Sequence, residues 1–139
     1  MTAADVSAVA LERARRRLDA RKADLLEIEP DAPLPLPDSE FDLVLCAETL
    51  EHVRDVQLLL SETRRVLKPR GLLAVTTPAH GRRTALAALG RGLEAVFDPL
   101  SPHLRFFTRR SLLRLLEGMG FEVTSLMRQR GLLLVLARR

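Results

Sequence analysis

One short apolar segment near the middle of the chain, residues 41–46, constrains the fold more than any other feature. The segment reads Phe-Asp-Leu-Val-Leu-Cys, and the small residue Ala47 and the acidic residue Glu48 follow it directly. Such a run predicts a strand that is buried on both faces of a parallel sheet. In open α/β sheets, ligands bind beyond the carboxyl ends of the strands. We therefore expect an α/β fold whose functional site lies beside Ala47 and Glu48.

The length and composition indicate a single globular domain. At 139 residues with 47% hydrophobic content, the chain is long enough to bury a core. Its longest apolar runs, such as residues 132–137, are too short to cross a bilayer, and no basic and then apolar leader opens the sequence. The single cysteine, Cys46, excludes an internal disulfide and favours a reducing compartment. We expect a cytoplasmic protein without a membrane partner.

The net charge of +4 raises the question of a nucleic-acid partner. Among the 22 basic residues, all except Lys22 and Lys68 are arginine, and they are spread along the whole chain rather than clustered. The sequence has no Trp and no Tyr, so few side chains are available to stack on bases. The charge pattern therefore argues against nucleic acid as a partner.

Helix and strand signals alternate in the second half of the chain. Asp55 is expected to cap a helix that residues 69–71 stop, and a second apolar strand follows over residues 71–77. Thr108 is expected to cap another helix, which Gly120 ends in the left-handed conformation. The last 19 residues contain two strand-like runs around a turn signal and predict an antiparallel hairpin over residues 121–137.

The first 37 residues carry weaker signals. Thr2–Asp5 is too short to predict a strand with certainty, whereas Ser7 is a good helix N-cap with Val6 and Leu11 spaced as a hydrophobic staple around it. Four prolines between residues 29 and 37 exclude a helix or a central strand there. This segment should be an extended loop that leads into the strand over residues 41–46.

Several of these segments resemble those of class I S-adenosylmethionine-dependent methyltransferases. Residues 41–53 are similar to the fourth strand and following loop of that family, and residues 67–73 to the helix, turn and strand that come next. The resemblance continues through residues 103–108 and 118–123 in the same order. It implies a Rossmann-like, mostly parallel sheet with a C-terminal antiparallel hairpin, and S-adenosylmethionine as cofactor.

The resemblance also assigns cofactor-binding roles to two acidic residues. Asp5, followed by Val6, matches the residue that holds the ribose hydroxyls, since a carboxylate can accept two hydrogen bonds from a vicinal diol. On its own, Asp5 would rather suggest a role at the amino end of the following helix, but its register with the downstream segments favours the ribose. Asp24, followed by Leu25, matches the acceptor for the adenine amino group, although an ordinary solvated loop acid would look the same.

Small residues and titratable groups follow the central strand. Cys46 and Ala47 would allow the cofactor to approach the backbone, although Cys46 is also compatible with a small buried hydrophobe. Glu48, His52 and His103 are weak catalytic candidates, because each could instead have a structural role. His52 could simply begin the next helix with its neighbour Glu51. Three scattered histidines and one cysteine show no metal-ligand spacing, so we expect no metal site.

The glycine-rich loop of the family has no counterpart near the start of the sequence. A Gly-x-Gly does occur at Gly90 and Gly92, but it falls within an expected helix over residues 82–97. Residues 1–139 therefore resemble a partial methyltransferase domain that is truncated at its N-terminus: the first strand, the glycine-rich loop and most of the second strand are absent. Without this loop, we expect weak cofactor binding or none.

Two classes of function remain open. The first is a methyltransferase that acts on a small molecule, and the second is a non-catalytic interaction module with a truncated methyltransferase fold. Absence of the family's first strand would leave residues 41–46 at an unprotected sheet edge. A homo-oligomer or a complementing chain is therefore the expected partner.

Overall fold

The computed structural model describes residues 1–17, 23–81, 84, 86, 89, 90, 92 and 101–139. The chain divides into two units, Met1–Pro35 and Leu36–Arg139. Most of the helix expected over residues 82–97 lies outside the described residues. Among the helices that are described, none has the length and apolar content needed to cross a lipid bilayer.

The first unit is a strand–helix–strand arrangement. Strand β1 (Thr2–Asp5) and strand β2 (Asp24–Glu27) pair in parallel, and helix α1 (Ala8–Arg17) lies between them in the sequence. The four residues of β1 form a strand because β2 supplies the hydrogen-bonding ladder that so short a segment needs. Ser7 caps α1 as expected: its Oγ accepts from the backbone N–H of Ala10 (3.2 Å).

The second unit contains a four-stranded sheet and two described helices. Its elements are β3 (Phe41–Ala47), α2 (Val56–Val66), β4 (Leu67–Pro78), α3 (Arg109–Gly118), β5 (Glu122–Gln129) and β6 (Leu132–Arg138). The strand order is β3-β4-β6-β5. Strands β3 and β4 are parallel, whereas β6 runs antiparallel to both β4 and β5. The expected α/β fold with a C-terminal antiparallel hairpin is confirmed.

The prediction that the central strand is buried on both faces is wrong. Cys46 is buried, but Leu43 is 56% exposed and Leu45 is 63% exposed. Side chains alternate between the two faces of a strand, so Leu43 and Leu45 share one face while Val44 and Cys46 pack against the core on the other. β3 is also a terminal strand of its sheet. The apolar run therefore predicted the strand correctly, but it did not predict that only one face of the strand packs against the core.

The boundary between α2 and β4 also differs from the prediction. The helix ends at Val66, and β4 begins at once with Leu67, so residues 69–71 lie within a 12-residue strand instead of a helix stop. The pairing register shifts here, because Phe41 faces Leu67 while Leu43 faces Leu72. Gly71 is required at this irregularity, since an added Cβ would lie 2.9 Å from the carbonyl oxygen of Lys68.

The caps and turns of the C-terminal half follow their local sequence signals. Thr108 and Ser111 form a capping box at the start of α3. At its end, Gly120 (φ 80°) donates to the carbonyl of Glu117 and Phe121 donates to that of Leu116, which is a Schellman motif. The two residues between β5 and β6, Arg130 and Gly131, both have positive φ, as type I′ hairpin turns require.

The core of the second unit lies between the sheet and its helices. The side chains of α2 and α3 that point inward pack with alternating residues of β4 and β6. The fully buried apolar members are Leu50, Leu60, Val66, Leu67, Leu73, Val75, Leu112, Leu116, Leu133 and Ala137.

Candidate functional site

A tight turn follows the carboxyl end of β3. Glu48 adopts a left-handed conformation (φ 51°), and its backbone N–H donates to the carbonyl of Thr76 on β4 (2.9 Å). His52 donates its N–H to the carbonyl of Thr49 (3.0 Å). The alternative that Glu51 and His52 begin the next helix does not hold, because α2 begins at Val56 and Asp55 caps it as expected. The two residues lie in the turn instead.

The carboxylate of Glu51 is buried in this turn. Its residue is only 1% exposed, and its Oε2 accepts a hydrogen bond from Oγ1 of Thr77 on β4 (2.9 Å). Its other oxygen, Oε1, is buried and has no hydrogen-bond partner among the described residues. Most buried polar groups in proteins are hydrogen-bonded, and an unpartnered one costs free energy. Glu51 is therefore the polar residue of this turn whose burial most needs a functional explanation.

Backbone hydrogen bonds hold the loop before α3 against this turn. The N–H groups of Leu104 and Arg105 both donate to the carbonyl oxygen of Glu51 (2.7 and 3.2 Å). The guanidinium of Arg105 also donates to the carbonyls of Val53 and Arg54. These contacts fix residues 103–105 beside the turn, although 50 residues separate the two segments in the chain.

Two histidines meet where the loop and the turn touch. The ring centroids of His52 and His103 are 4.8 Å apart, and the ring planes are tilted by 53°. Nδ1 of His52 lies 3.1 Å from the carbonyl oxygen of Pro102. One ring nitrogen from each histidine and one carboxylate oxygen of Glu51 all lie within 4.8 Å of one another. Residues that are scattered in the sequence are thus brought together by the fold.

The third histidine, His80, lies at the end of β4. Burial lowers the pKa of its imidazole, and the charge of His103 lowers it further, whereas Glu51 opposes both effects. Its Nδ1 is buried without a hydrogen-bond partner among the described residues, and its ring packs edge-on against Phe106. His80 therefore belongs to the same electrostatic neighbourhood as the histidine pair.

Cys46 lies in the core rather than at the surface of this site. Burial raises the pKa of its thiol to about 11, and a hydrogen bond with Thr63 only partly offsets this effect. A thiol with so high a pKa is a poor nucleophile at neutral pH. The side chain of Cys46 is thus a small buried hydrophobe, and Ala47, which follows it, is exposed.

In the first unit, Asp5 lies at the carboxyl end of β1. The side chain is half-buried, and its Oδ1 accepts from the backbone N–H of Ser7 (2.8 Å), which fixes the orientation of the carboxylate. Val6, the next residue, is 53% exposed. Asp5 therefore stands at the end of the parallel pair where ligands of α/β sheets bind.

Asp24 and Leu25 lie at the other end of the same pair. Asp24 begins β2 and faces Thr2, whereas Asp5 faces Glu27. At about 3.3 Å per residue, the strand length places the two aspartates roughly 10 Å apart along the strand direction. The structure therefore does not bring together the two acidic residues that the resemblance paired.

Another acidic residue follows the carboxyl end of β2. Asp31 is exposed and adopts a left-handed conformation (φ 53°), which Asp tolerates better than most residues. Sequence reasoning missed it because the boundaries of β2 were not known. The available signal was its position at the start of the proline-rich loop, five residues after the apolar pair Leu25 and Leu26.

Comparison with known proteins identifies the family. Residues 1–75 match the family model described as a methyltransferase domain. The chain is 37% identical, over 126 residues, to the "probable S-adenosylmethionine-dependent methyltransferase" of Mycolicibacterium smegmatis, a match that covers 86% of this chain and 41% of that protein. It is 33% identical to the ubiquinone biosynthesis O-methyltransferase of Rhodopseudomonas palustris over 91 residues, covering 63% of this chain and 36% of that enzyme.

The fold agrees with this assignment. An S-adenosylmethionine-dependent methyltransferase from Mesorhizobium loti superposes with a TM-score of 0.75 at 22% identity, covering 99% of this chain and 79% of that one. The chain spans less than half the length of the two curated relatives. The family model, the sequence relatives and the fold lead to one conclusion: the chain belongs to the class I S-adenosylmethionine-dependent methyltransferases.

Proposed function

We propose that this chain is part of an enzyme that transfers a methyl group from S-adenosylmethionine to a small molecule. The observation that carries the proposal is the oriented, half-buried carboxylate of Asp5 at the carboxyl end of β1. The small-molecule acceptor is suggested by relatives such as the ubiquinone biosynthesis O-methyltransferase, whose name refers to a small-molecule pathway.

In the first unit, the proposal assigns the adenosine part of the cofactor to the carboxyl ends of β1 and β2. Asp5, with Val6 beside it, would accept hydrogen bonds from the ribose hydroxyls, since lone pairs remain on both of its carboxylate oxygens. For the adenine amino group we propose Asp31, because Asp24 and Leu25 begin β2 at the opposite end. The carboxylates of Asp5 and Asp31 suit adenosine because they accept hydrogen bonds, and the ribose hydroxyls and the adenine amino group donate them.

In the second unit, we assign the methyl acceptor to the turn after β3. Ala47 is exposed at the end of the strand and would let a ligand approach its backbone, while Cys46 would contribute only main-chain atoms. When bound, S-adenosylmethionine supplies an electrophilic methyl group on its sulfonium, so the protein has mainly to align the acceptor. The exposed side chains of Glu48 and His52 and the half-buried His103 are the candidates for taking a proton from it.

The missing glycine-rich loop limits what the chain can do alone. No Gly-x-Gly lies near β1, so the chain lacks the close backbone approach that would hold the methionine part of the cofactor. Each polar cofactor group left without a partner costs about 1–3 kcal/mol. We therefore expect the isolated chain to bind the cofactor weakly.

The exposed β3 supports a proposal about partners. Leu43 and Leu45 lie on a terminal strand, and neither a charge nor a proline protects that stretch. We propose that a second copy or a complementing chain covers this strand.

We also propose a cytoplasmic location. Cys46 is the single cysteine, and its thiol is free and buried, which suits a reducing compartment.

Binding of S-adenosylhomocysteine to the full chain, followed by ligand-observed NMR, tests the proposal. Asp5→Ala should weaken binding by about tenfold or more, because it removes hydrogen bonds to a charged acceptor. Asp42→Ala is the matched control, since Asp42 is exposed and pairs with Lys68 on the surface (2.9 Å). Equal affinities for the two variants would contradict the role of Asp5, and micromolar binding by the unmodified chain would contradict the effect of the missing loop.

A further inference from the structure

We propose that Glu51, His52 and His103 form a binding site for a divalent transition-metal ion of the zinc type. Two observations support this site independently: the convergence of three metal-binding side chains, and a buried carboxylate oxygen without a partner. Neither observation involves methyl transfer, so the inference does not rest on the proposed function. A histidine that binds a metal cannot also take a proton from the acceptor, so an occupied site would leave Glu48 as the remaining candidate base of that function.

The first observation is geometric. One ligand atom from each of the three residues lies within 4.8 Å of the other two. Tetrahedral zinc bound at about 2.0–2.2 Å needs its ligand atoms roughly 3.4 Å apart, so the widest pair has to close by about 1.4 Å. His52 is exposed and His103 is half-buried, and rotation of their side chains can supply a movement of this size. The backbone of the loop is already held in place by Leu104 and Arg105.

The second observation is that the buried carboxylate of Glu51 is only partly hydrogen-bonded. This residue is 1% exposed, and Oε2 is held by Thr77, which leaves Oε1 buried and unpartnered among the described residues. Buried carboxylates are normally paired with cations or coordinate metals. A metal ion held between Oε1 and the histidine pair would satisfy this oxygen, while the hydrogen bond from Thr77 would orient the carboxylate.

The hydrogen bond of His52 prepares its ring for metal binding. A carbonyl oxygen can only accept, so the contact with Pro102 places the ring proton of His52 on Nδ1. The lone pair then lies on Nε2, which becomes the ligand atom. Metal-binding histidines commonly donate their other N–H to a backbone carbonyl in this way.

The ligand set selects the class of metal. Two imidazoles and one carboxylate suit Zn²⁺, Co²⁺ or Ni²⁺, whereas Mg²⁺ and Ca²⁺ prefer sites made entirely of oxygen atoms. Three protein ligands would leave at least one coordination position for water or another small ligand.

Calorimetric titration of the metal-free full chain with Zn²⁺ tests the proposal, and Co²⁺ adds a visible absorption spectrum that reports the ligand geometry. We expect one Zn²⁺ per chain and no heat from Mg²⁺. Glu51→Gln, His52→Gln and His103→Gln should each lower the Zn²⁺ affinity by about 100-fold, the upper end of what even outer-shell substitutions cost. Two matched controls, Glu117→Gln on the exposed face of α3 and His80→Gln, should retain the affinity of the unmodified chain.

Each outcome decides the proposal. Loss of affinity in the three ligand variants with retention in both controls supports it. Three results would overturn the proposal: an equal Zn²⁺ affinity in all variants, a loss of Zn²⁺ affinity caused by His80→Gln alone, or Mg²⁺ binding at the same residues. Circular dichroism should accompany each titration, and if Glu51→Gln fails to fold, the pair His52→Gln and His103→Gln decides the question, because neither side chain is fully buried.

Discussion

Asp5 and Asp24 lie at opposite ends of the same parallel strand pair. Asp5 closes β1 at its carboxyl end and faces Glu27, while Asp24 opens β2 and faces Thr2. Only the carboxyl end corresponds to the ligand-binding edge of such a sheet. Glu27 faces Asp5 at that edge, and Asp31, the proposed acceptor for adenine, follows four residues later in a left-handed conformation.

The first prediction compares Asp31→Ala with Asp24→Ala. Removal of the Asp31 carboxylate should weaken binding of S-adenosylhomocysteine by about tenfold, because a charged acceptor for the adenine amino group is lost. Asp24→Ala should leave binding unchanged. Ligand-observed NMR titrations of the two variants measure the difference, and a larger loss for Asp24→Ala would reverse the assignment.

The second prediction concerns the end of helix α3. Gly120→Ala should lower the free energy of unfolding by about 1–2 kcal/mol, because Gly120 has φ 80° and a side chain there is strained. An added Cβ would also lie 3.2 Å from Nε of Arg64. The matched control is Gly118→Ala, where an added Cβ has nothing within 4 Å and helix propensity favours alanine by up to about 1 kcal/mol. Urea denaturation measures both, and a stabilising Gly120→Ala would argue against the Schellman motif.

The third prediction is the pH dependence of Cys46 alkylation. Burial raises the pKa of the thiol from 9.0 to about 11, so the thiolate fraction at pH 8 falls from roughly a tenth to roughly a thousandth. Iodoacetamide should therefore react about 100-fold more slowly with the folded chain than with the chain in urea. The rate in the folded state should keep rising up to about pH 11, whereas the rate in urea should level off above pH 9. Equal rates at pH 8 would show that Cys46 is accessible and ionised.

The fourth prediction addresses the exposed face of β3. Because Leu43 and Leu45 are 56% and 63% exposed on a terminal strand, we expect the chain to self-associate as its concentration rises. Leu45→Lys should reduce this association, while Val9→Lys, a change of an equally exposed residue (62%) on α1, should not. Light scattering measures the effect. A stable monomer at high concentration, with slow amide exchange at residues 43–45, would contradict it.

Local sequence signals predicted the elements that local interactions determine. The capping residue Thr108 and the helix-ending Gly120 act within a single turn, so their spacing in the sequence was enough to predict both ends of α3. The hairpin around Gly131 was predictable for the same reason. The fold class followed from the order of these elements, because alternating strands and amphipathic helices have few ways to pack.

Features that depend on distant residues were not predictable in this way. The apolar run over residues 41–46 predicts a strand, but its burial depends on which strands lie beside it, and β3 is terminal. The contact between His52 and His103 depends on hydrogen bonds from Leu104 and Arg105 to Glu51, which lies more than 50 residues earlier in the chain. The end of the strand pair at which Asp24 lies could not be predicted either, because the register of β1 and β2 decides which acidic residue lies at the carboxyl end.

The most direct test of this account is a ¹⁵N-resolved NMR titration of the full chain with S-adenosylhomocysteine. If the carboxyl ends of β1 and β2 bind the adenosine part of the cofactor, the largest shift changes should occur at the amides of Asp5, Val6 and Asp31. The amides of Asp24 and Leu25 should be unaffected. Shift changes centred on Asp24, or none at saturating ligand, would contradict the proposed adenosine site.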